Sequence, residues 1–210
     1  MHAESLLDIT MLHADTLISN AQKGEEKALN QLVSLWYKRI YNYVHKYCSD
    51  DDTAAEITQQ TFIAMFRNIK KLKDIDRFKP WLYRIATNFC YEESRKQKRN
   101  RTVSLTVTKE DETEEQIEVG EAKGNFFNPE RSFQQTEIEG ILLSSLGELN
   151  EDQRTVVIMK EYEGLKFTEI AEALDASENT VKTRLYRGLK NLKGILERKN
   201  ITRETVHYEL

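Results

Sequence analysis

The sequence predicts an all-α protein: two small helical domains joined by a flexible acidic linker, the second domain containing a helix-turn-helix. Three observations predict it. Two prolines and eight glycines in 210 residues are too few for a sandwich or barrel, which needs a turn every ~8–12 residues. Apolar residues recur three and four apart in two blocks, the period of amphipathic helices. Between the blocks, over residues 102–134, that period vanishes and acids accumulate: Glu110, Asp111, Glu112, Glu114, Glu115, Glu118 and Glu121. A structureless stretch of that length does not belong inside one compact core, so it divides the chain.

The first block, residues 17–101, opens with a long amphipathic helix over Ala28–Tyr47, whose apolar residues Leu29, Leu32, Val33, Leu35, Trp36, Ile40, Tyr43, Val44 and Tyr47 fall mostly three or four apart. Asp50-Asp51-Asp52-Thr53 interrupts the stripe and supplies caps and favourable negative charge for the next helix. That helix carries Ala55, Ile57, Phe62, Ile63, Met65, Phe66 and Ile69 toward Leu72. Lys73–Lys79 reads as a charged loop, and Pro80 suits the first turn of a third helix, since its missing N–H is unpaired there anyway. Trp81 and Phe89 on that helix read as core, and it runs into the basic stretch Arg95–Arg101.

The second block, residues 135–199, begins with helical sets at Ile138, Ile141, Leu142, Leu146 and Leu149, then Val156, Val157, Met159 and Tyr162, with a break at Gly164. Thr168–Leu174 and Ser177–Leu196 complete a four-helix unit. The ends, 1–16 and 200–210, carry no pattern that assigns them.

Charge is divided rather than mixed. The net charge is -4, yet residues 28–101 hold fifteen Lys/Arg against eight Asp/Glu, and residues 178–199 hold seven bases against two acids. Residues 137–177, between the linker and the second cationic island, hold three bases and ten acids. Nucleic acid responds to local potential rather than to the mean, because counterions are released where the basic groups lie.

Other classes are disfavoured. No stretch approaches the ~20 apolar residues of a membrane span, and Met1–Asn20 lacks the pattern of an export signal, so a cytoplasmic location is expected. Cys48 and Cys90 fit neither a disulfide framework nor a zinc spacing and read as small buried hydrophobes. His2, His13, His45 and His207 are scattered, so no metal and no cofactor is expected. A nucleophile–base pair or a Gly-rich phosphate loop is not visible, so no catalytic site is expected.

In Phe167–Leu189, Ile170, Ala171 and Leu174 face inward, a short turn follows, and Val181, Leu185 and Leu189 face inward again. This is helix-turn-helix spacing. Ala171 is small where the helices must approach, Ser177 can cap the second helix, and Asp175 stands in the turn where glycine is usual. With that stripe inward, Asn179, Lys182, Thr183, Tyr186, Arg187 and Lys190 form the opposite face, a set able to read base edges and phosphates in a major groove.

The segments Leu146–Val157, Glu163–Ala171 and Asn179–Gly188 resemble region four of bacterial extracytoplasmic-function sigma factors, members of the sigma-70 family. Glu56–Asn68 and Phe78–Asn88 resemble the family's region two, and both matches occur in the family's order. The resemblance implies an alternative sigma factor, which directs RNA polymerase to promoters and has no catalytic site of its own. It further implies that Glu56, Gln59, Gln60 and Phe62 bind the clamp helices of the β′ subunit, with the β flap a second polymerase contact. Lys73–Lys79 and the helix after it match the elements that engage the minus-ten strand. There Lys79, Arg84 and Asn88 recur at helical spacing, and Arg95, Lys96 and Lys98 extend the positive surface. Lys182, Thr183, Tyr186 and Arg187 match positions that read the minus-thirty-five element, while Arg184 suits the DNA backbone. The linker would lie along the polymerase's active-site and RNA-exit path. An anti-sigma factor is an expected partner, and the acids raise a further expectation: when idle, the two domains fold back on each other, or on that partner, and hide their basic surfaces. The alternative reading is a stand-alone helix-turn-helix regulator, which leaves the first domain without a use.

Overall fold

The computed structural model describes residues 15–107 and 133–201; the acids named in the linker, the two outermost tails and His2, His13 and His207 lie outside the described residues. The first domain comprises α1 (15–23), α2 (Glu26–Cys48), α3 (Asp51–Asn68) and α4 (Phe78–Val107), with single 3-10 turns at Ile69–Lys71 and Ile75–Arg77. The second comprises α5 (Phe133–Glu148), α6 (Glu151–Val157), α7 (Phe167–Ala173) and α8 (Glu178–Arg198).

Local chemistry sets the helix ends. Ser49 ends α2 in the left-handed conformation, its N–H bonded to the His45 carbonyl, and the Asp50 carboxylate then accepts the Thr53 N–H at 2.8 Å to start α3. Two side-chain bonds from Gln22 of α1, to the Ile69 and Leu72 carbonyls, tie down the turn after α3. Leu32, Ile40, Tyr43, Ile57, Met65, Leu82 and Ala86 fill the core between α2, α3 and α4. The buried Tyr43 hydroxyl is satisfied by Thr87 Oγ1 at 2.8 Å, avoiding the cost of an unpaired polar group.

Three boundaries differ from the sequence expectation, one of them the start of the linker: α4 runs on to Val107, past residue 102. Helix α4 begins at Phe78, so Lys79 lies in its first turn rather than in a loop. Residues Val156–Met159 are all buried, yet α6 does not run on as an α-helix to Tyr162: its last turn, Ile158–Tyr162, is π-helical, with the Glu163 N–H bonded to the Ile158 carbonyl. Gly164 then reverses the chain at φ 65°, a conformation that costs glycine little.

The helix-turn-helix follows as expected. Asp175 adopts φ 51° in the turn, and Ser177 accepts the Thr180 N–H at 3.1 Å to cap α8. Gly188 lies where α8 crosses α6: an added Cβ would stand 2.8 Å from Val157 Cγ2. The two domains are also in contact, α4 lying along α7, and α2 meeting α5 and the π-helical turn.

Candidate nucleic-acid interface

Helix α8 presents an open cationic face. Its inward stripe, Val181, Leu185, Leu192 and Ile195, is buried, which leaves Asn179, Thr183, Tyr186, Arg187 and Lys190 exposed and Lys182 half-exposed. Tyr186, at 67% exposure, has nothing to bury it within its own fold. Thr183 donates to the Asn179 carbonyl, and the Lys182 ammonium lies 5.4 Å from the Phe167 ring centre while pairing with Glu178 at 3.7 Å. Arg184 differs from this group. It turns inward to Asp152 at 2.7 Å, so it stands on the α6 side rather than among the solvent-facing residues.

Three cations of α4 pair with acids of the second domain. Lys79 Nζ bonds Glu169 at 3.1 Å, Arg84 pairs with Asp175 at 3.6 Å, and Lys98 with Glu151 at 2.6 Å. Asn88 is exposed beside Arg84 at the edge of the same seam, whereas Lys96 pairs with Glu93 on its own helix and Arg95 faces outward. Trp81 and Phe89 pack against the core, with Phe78 tilted between Trp81 and Trp36.

The third surface lies on α3. Glu56 and Gln59 are exposed, and Gln60 donates to Glu56 at 2.9 Å one turn away. Phe62 is a correction: it is 4% exposed and stacks on Tyr37, so it supports the surface from below. The apolar groups that reach solvent beside Gln59 are Ile63 and Phe66, each 39% exposed and on the same helical face.

Residues that hold the domains together were not singled out by motif. Arg154 of α6 donates to the Tyr47 carbonyl at the end of α2 at 3.0 Å and to the Gly147 and Leu149 carbonyls, its guanidinium lying 4.9 Å from the Tyr47 ring centre. It thus caps the carboxyl end of a helix in the other domain. Tyr83 is buried and donates to Glu163 at 2.6 Å; burial first, then the Glu163 charge, pushes its phenol far above the ordinary range and keeps it a neutral donor. Arg77 pairs with Glu172 at 3.0 Å. Below these contacts lies an open cleft of about 910 Å³ whose lining includes Cys48, Lys98, Arg154 and Arg187. Among the described residues no helix is long and apolar enough to cross a membrane.

Comparison with known proteins matches both domains. Residues 32–100 match the family model for sigma-70 region 2, and residues 139–192 match that for sigma-70 region 4. An ECF RNA polymerase sigma-E factor of Haemophilus influenzae is 31% identical over 88% of this chain and 93% of its own length. The RNA polymerase sigma-H factor of Pseudomonas aeruginosa is 29% identical over 85% and 91%. Among solved structures, CnrH in complex with the cytosolic domain of CnrY superposes with a TM-score of 0.63 at 20% identity, covering 88% of this chain and 97% of that one. The sigma factor RpoE of Bartonella quintana, in complex with the anti-sigma factor NepR, gives 0.60 at 20% identity, covering 81% and 98%. These two show the same helical fold. The chain belongs to the extracytoplasmic-function sigma factors of the sigma-70 family. It is an alternative sigma factor, and a stand-alone regulator is not favoured, because region 2 has its own match.

Proposed function

We propose that the three surfaces divide the work of initiation as the family order suggests. The α3 face of Glu56, Gln59, Gln60, Ile63 and Phe66 takes the β′ clamp helices of core RNA polymerase. Exposed apolar groups ringed by polar ones suit a helical partner. The α8 face of Asn179, Lys182, Thr183, Tyr186, Arg187 and Lys190 docks in the major groove of the minus-thirty-five element. Arg184, held by Asp152, steadies α8 and meets the DNA backbone at most. The α4 face of Lys79, Arg84, Asn88, Arg95, Lys96 and Lys98 captures the opened minus-ten strand, where a protein offsets the unstacking cost by holding bases and phosphates. The domain limits are 17–101 and 135–199, and the partners are core polymerase, promoter DNA and an anti-sigma factor in the cytoplasm.

The observation that carries this reading is the exposed cationic face of α8, with Tyr186 at 67% exposure, on a chain whose first domain also matches the family. The test separates the surfaces in one reconstituted transcription system. Arg187→Ala should weaken promoter binding by about 1–3 kcal/mol, if it reads a base edge, and leave polymerase association unchanged. Ile63→Ala with Phe66→Ala should do the reverse. Equal losses in both assays for either variant would refute the assignment.

A further inference from the structure

Helices α2 and α4 run side by side in a fixed register. The Tyr43 hydroxyl meets Thr87 Oγ1 at 2.8 Å and the Tyr47 hydroxyl meets Ser94 Oγ at 3.3 Å, while the Tyr47 and Tyr91 ring centres lie 6.2 Å apart. Cys48 directly follows Tyr47 and Cys90 directly precedes Tyr91, so this register brings together the two cysteines of the chain, 42 positions apart in sequence. Their side chains meet: burial first, and then hydrogen bonding with Cys48, push the Cys90 thiol well up. The surroundings of the two sulfurs are opposite. Cys48 lines the open cleft, whereas Cys90 is sealed in the core at 0% exposure. We propose that Cys48 and Cys90 form a reversible oxidation site, in which a small hydroperoxide reaching the cleft oxidises Cys48 and Cys90 resolves the product as an intramolecular disulfide.

The chemistry balances without any further reactant. The Cys48 thiolate attacks one peroxide oxygen; an S–O bond forms, the O–O bond breaks, and the leaving hydroxide takes up a proton as water. The Cys90 sulfur then attacks the sulfenic sulfur; the S–S bond forms, the S–O bond breaks, and the Cys90 proton departs with the hydroxide as a second water. Two thiols give up two electrons and two protons, and one hydrogen peroxide becomes two waters. Burial assigns the order of the two steps. The thiolate is the reactive form, and a thiol enclosed in apolar surroundings stays protonated, so peroxide is attacked at Cys48 and not at Cys90. Arg154, which donates to the Tyr47 carbonyl at 3.0 Å, lines the same cleft and sets positive charge beside the pair. In a reducing compartment such a pair rests as two thiols and closes only when peroxide rises.

The test treats the reduced full chain with a small excess of hydrogen peroxide, alkylates it in denaturant and reads it by peptide mass spectrometry. Both thiols should disappear together into one peptide pair that joins Cys48 to Cys90, and dithiothreitol should return them. The oxidised chain should also unfold at a higher urea concentration than the reduced chain, because the bond closes a loop containing the whole of α3. Cys90→Ala removes the resolving thiol without adding a polar group to the core; it should stop at a Cys48 sulfenic acid, trapped by dimedone. Cys48→Ser, at the cleft, should leave Cys90 unmodified. The wild type decides the matter even where the Cys90 variant fails to fold. Sulfinic acid on Cys48 with Cys90 still free, disulfides between chains instead of within one, or survival of both thiols would each refute the site.

Discussion

Alanine placed at Gly188 and at Gly194 should affect stability unequally, although both glycines lie on α8. In a helix interior, alanine gains about 1 kcal/mol over glycine by restricting the unfolded chain. At Gly194 nothing lies within 4 Å of the new Cβ, so that gain should be realised in full. At Gly188 the new Cβ meets Val157 Cγ2 at 2.8 Å and is hemmed by Gln153 Cβ at 3.3 Å and the Gln153 carbonyl at 3.4 Å. Val157 is 1% exposed and has no room to swing away. Overpacking of this kind costs about 1–3 kcal/mol. Because the propensity gain is common to both variants, the difference between them isolates the clash: Gly188→Ala should be less stable than Gly194→Ala by about 1–3 kcal/mol. Urea unfolding of the full chain measures both. Pushing α8 off α6 also shifts Arg187 and Lys190, so duplex binding should fall for Gly188→Ala alone. Agreement of the two variants within about 0.5 kcal/mol would show that α8 does not cross α6 at the distance described.

Removing the cap of α3 by Asp50→Ala should cost about 1 kcal/mol at neutral pH. The Thr53 hydroxyl and N–H hold the Asp50 carboxyl below its ordinary value, so the stabilisation is present above the unfolded carboxylate range and disappears as pH falls through the lower folded value; acid titration of the wild-type and variant stabilities checks this. Cys48 borders the open cleft, whereas Cys90 is fully buried and its thiol is pushed well up by that burial. Iodoacetamide near neutral pH should therefore modify Cys48 first and reach Cys90 only after unfolding, as read by mass spectrometry; equal rates at the two sites would contradict the packing. Lys190→Ala should lower the salt slope of duplex binding by about 1, the signature of one lost phosphate contact, in titrations across salt concentration.

Much of the fold was legible because its causes are local. The apolar period gave α2 and α8, the Asp50–Thr53 run and Ser177 marked helix starts, and Asp175 marked a left-handed turn. The π-helical turn was not legible: Ile158–Tyr162 has the composition of an ordinary helix, and only the run of four buried residues, Val156–Met159, hints that no face is free to point outward. The resemblance placed Phe62 at the polymerase surface, whereas it is 4% exposed, and the helix pattern could not arbitrate. On an amphipathic helix with apolar residues at 62, 63, 65 and 66, periodicity alone does not decide which two lie under Tyr37 and the core and which two face out. Arg184 shows the reverse case, a base on a cationic helix whose partner, Asp152, lies 32 positions earlier in another helix. The interdomain seam was legible only as charge bookkeeping: an acidic segment, 137–177, in a chain whose first domain is cationic. Pairings such as Lys79 with Glu169 depend on tertiary geometry that no sequence period encodes.

On the proposed reading, the arrangement described, with α4 packed on α7, cannot also be the promoter-bound one. The two promoter elements lie roughly 25 base pairs apart by their names, about 85 Å of duplex at 3.4 Å per step. In the structure α4 packs on α7, and α7 on α8; at helix spacings of about 8–10 Å, the axes of α4 and α8 stand roughly 20 Å apart where they flank α7. Even the full length of α4, 30 residues, covers only about 45 Å at 1.5 Å per residue. Engaging both elements therefore requires α7 to leave α4. The chain permits it, because the residues between Val107 and Phe133 reach at most about 90 Å when fully extended. That requirement fits the order of events at a promoter. The duplex offers a major groove to α8 from the first encounter, whereas α4 has a strand to capture only after the base pairs have opened.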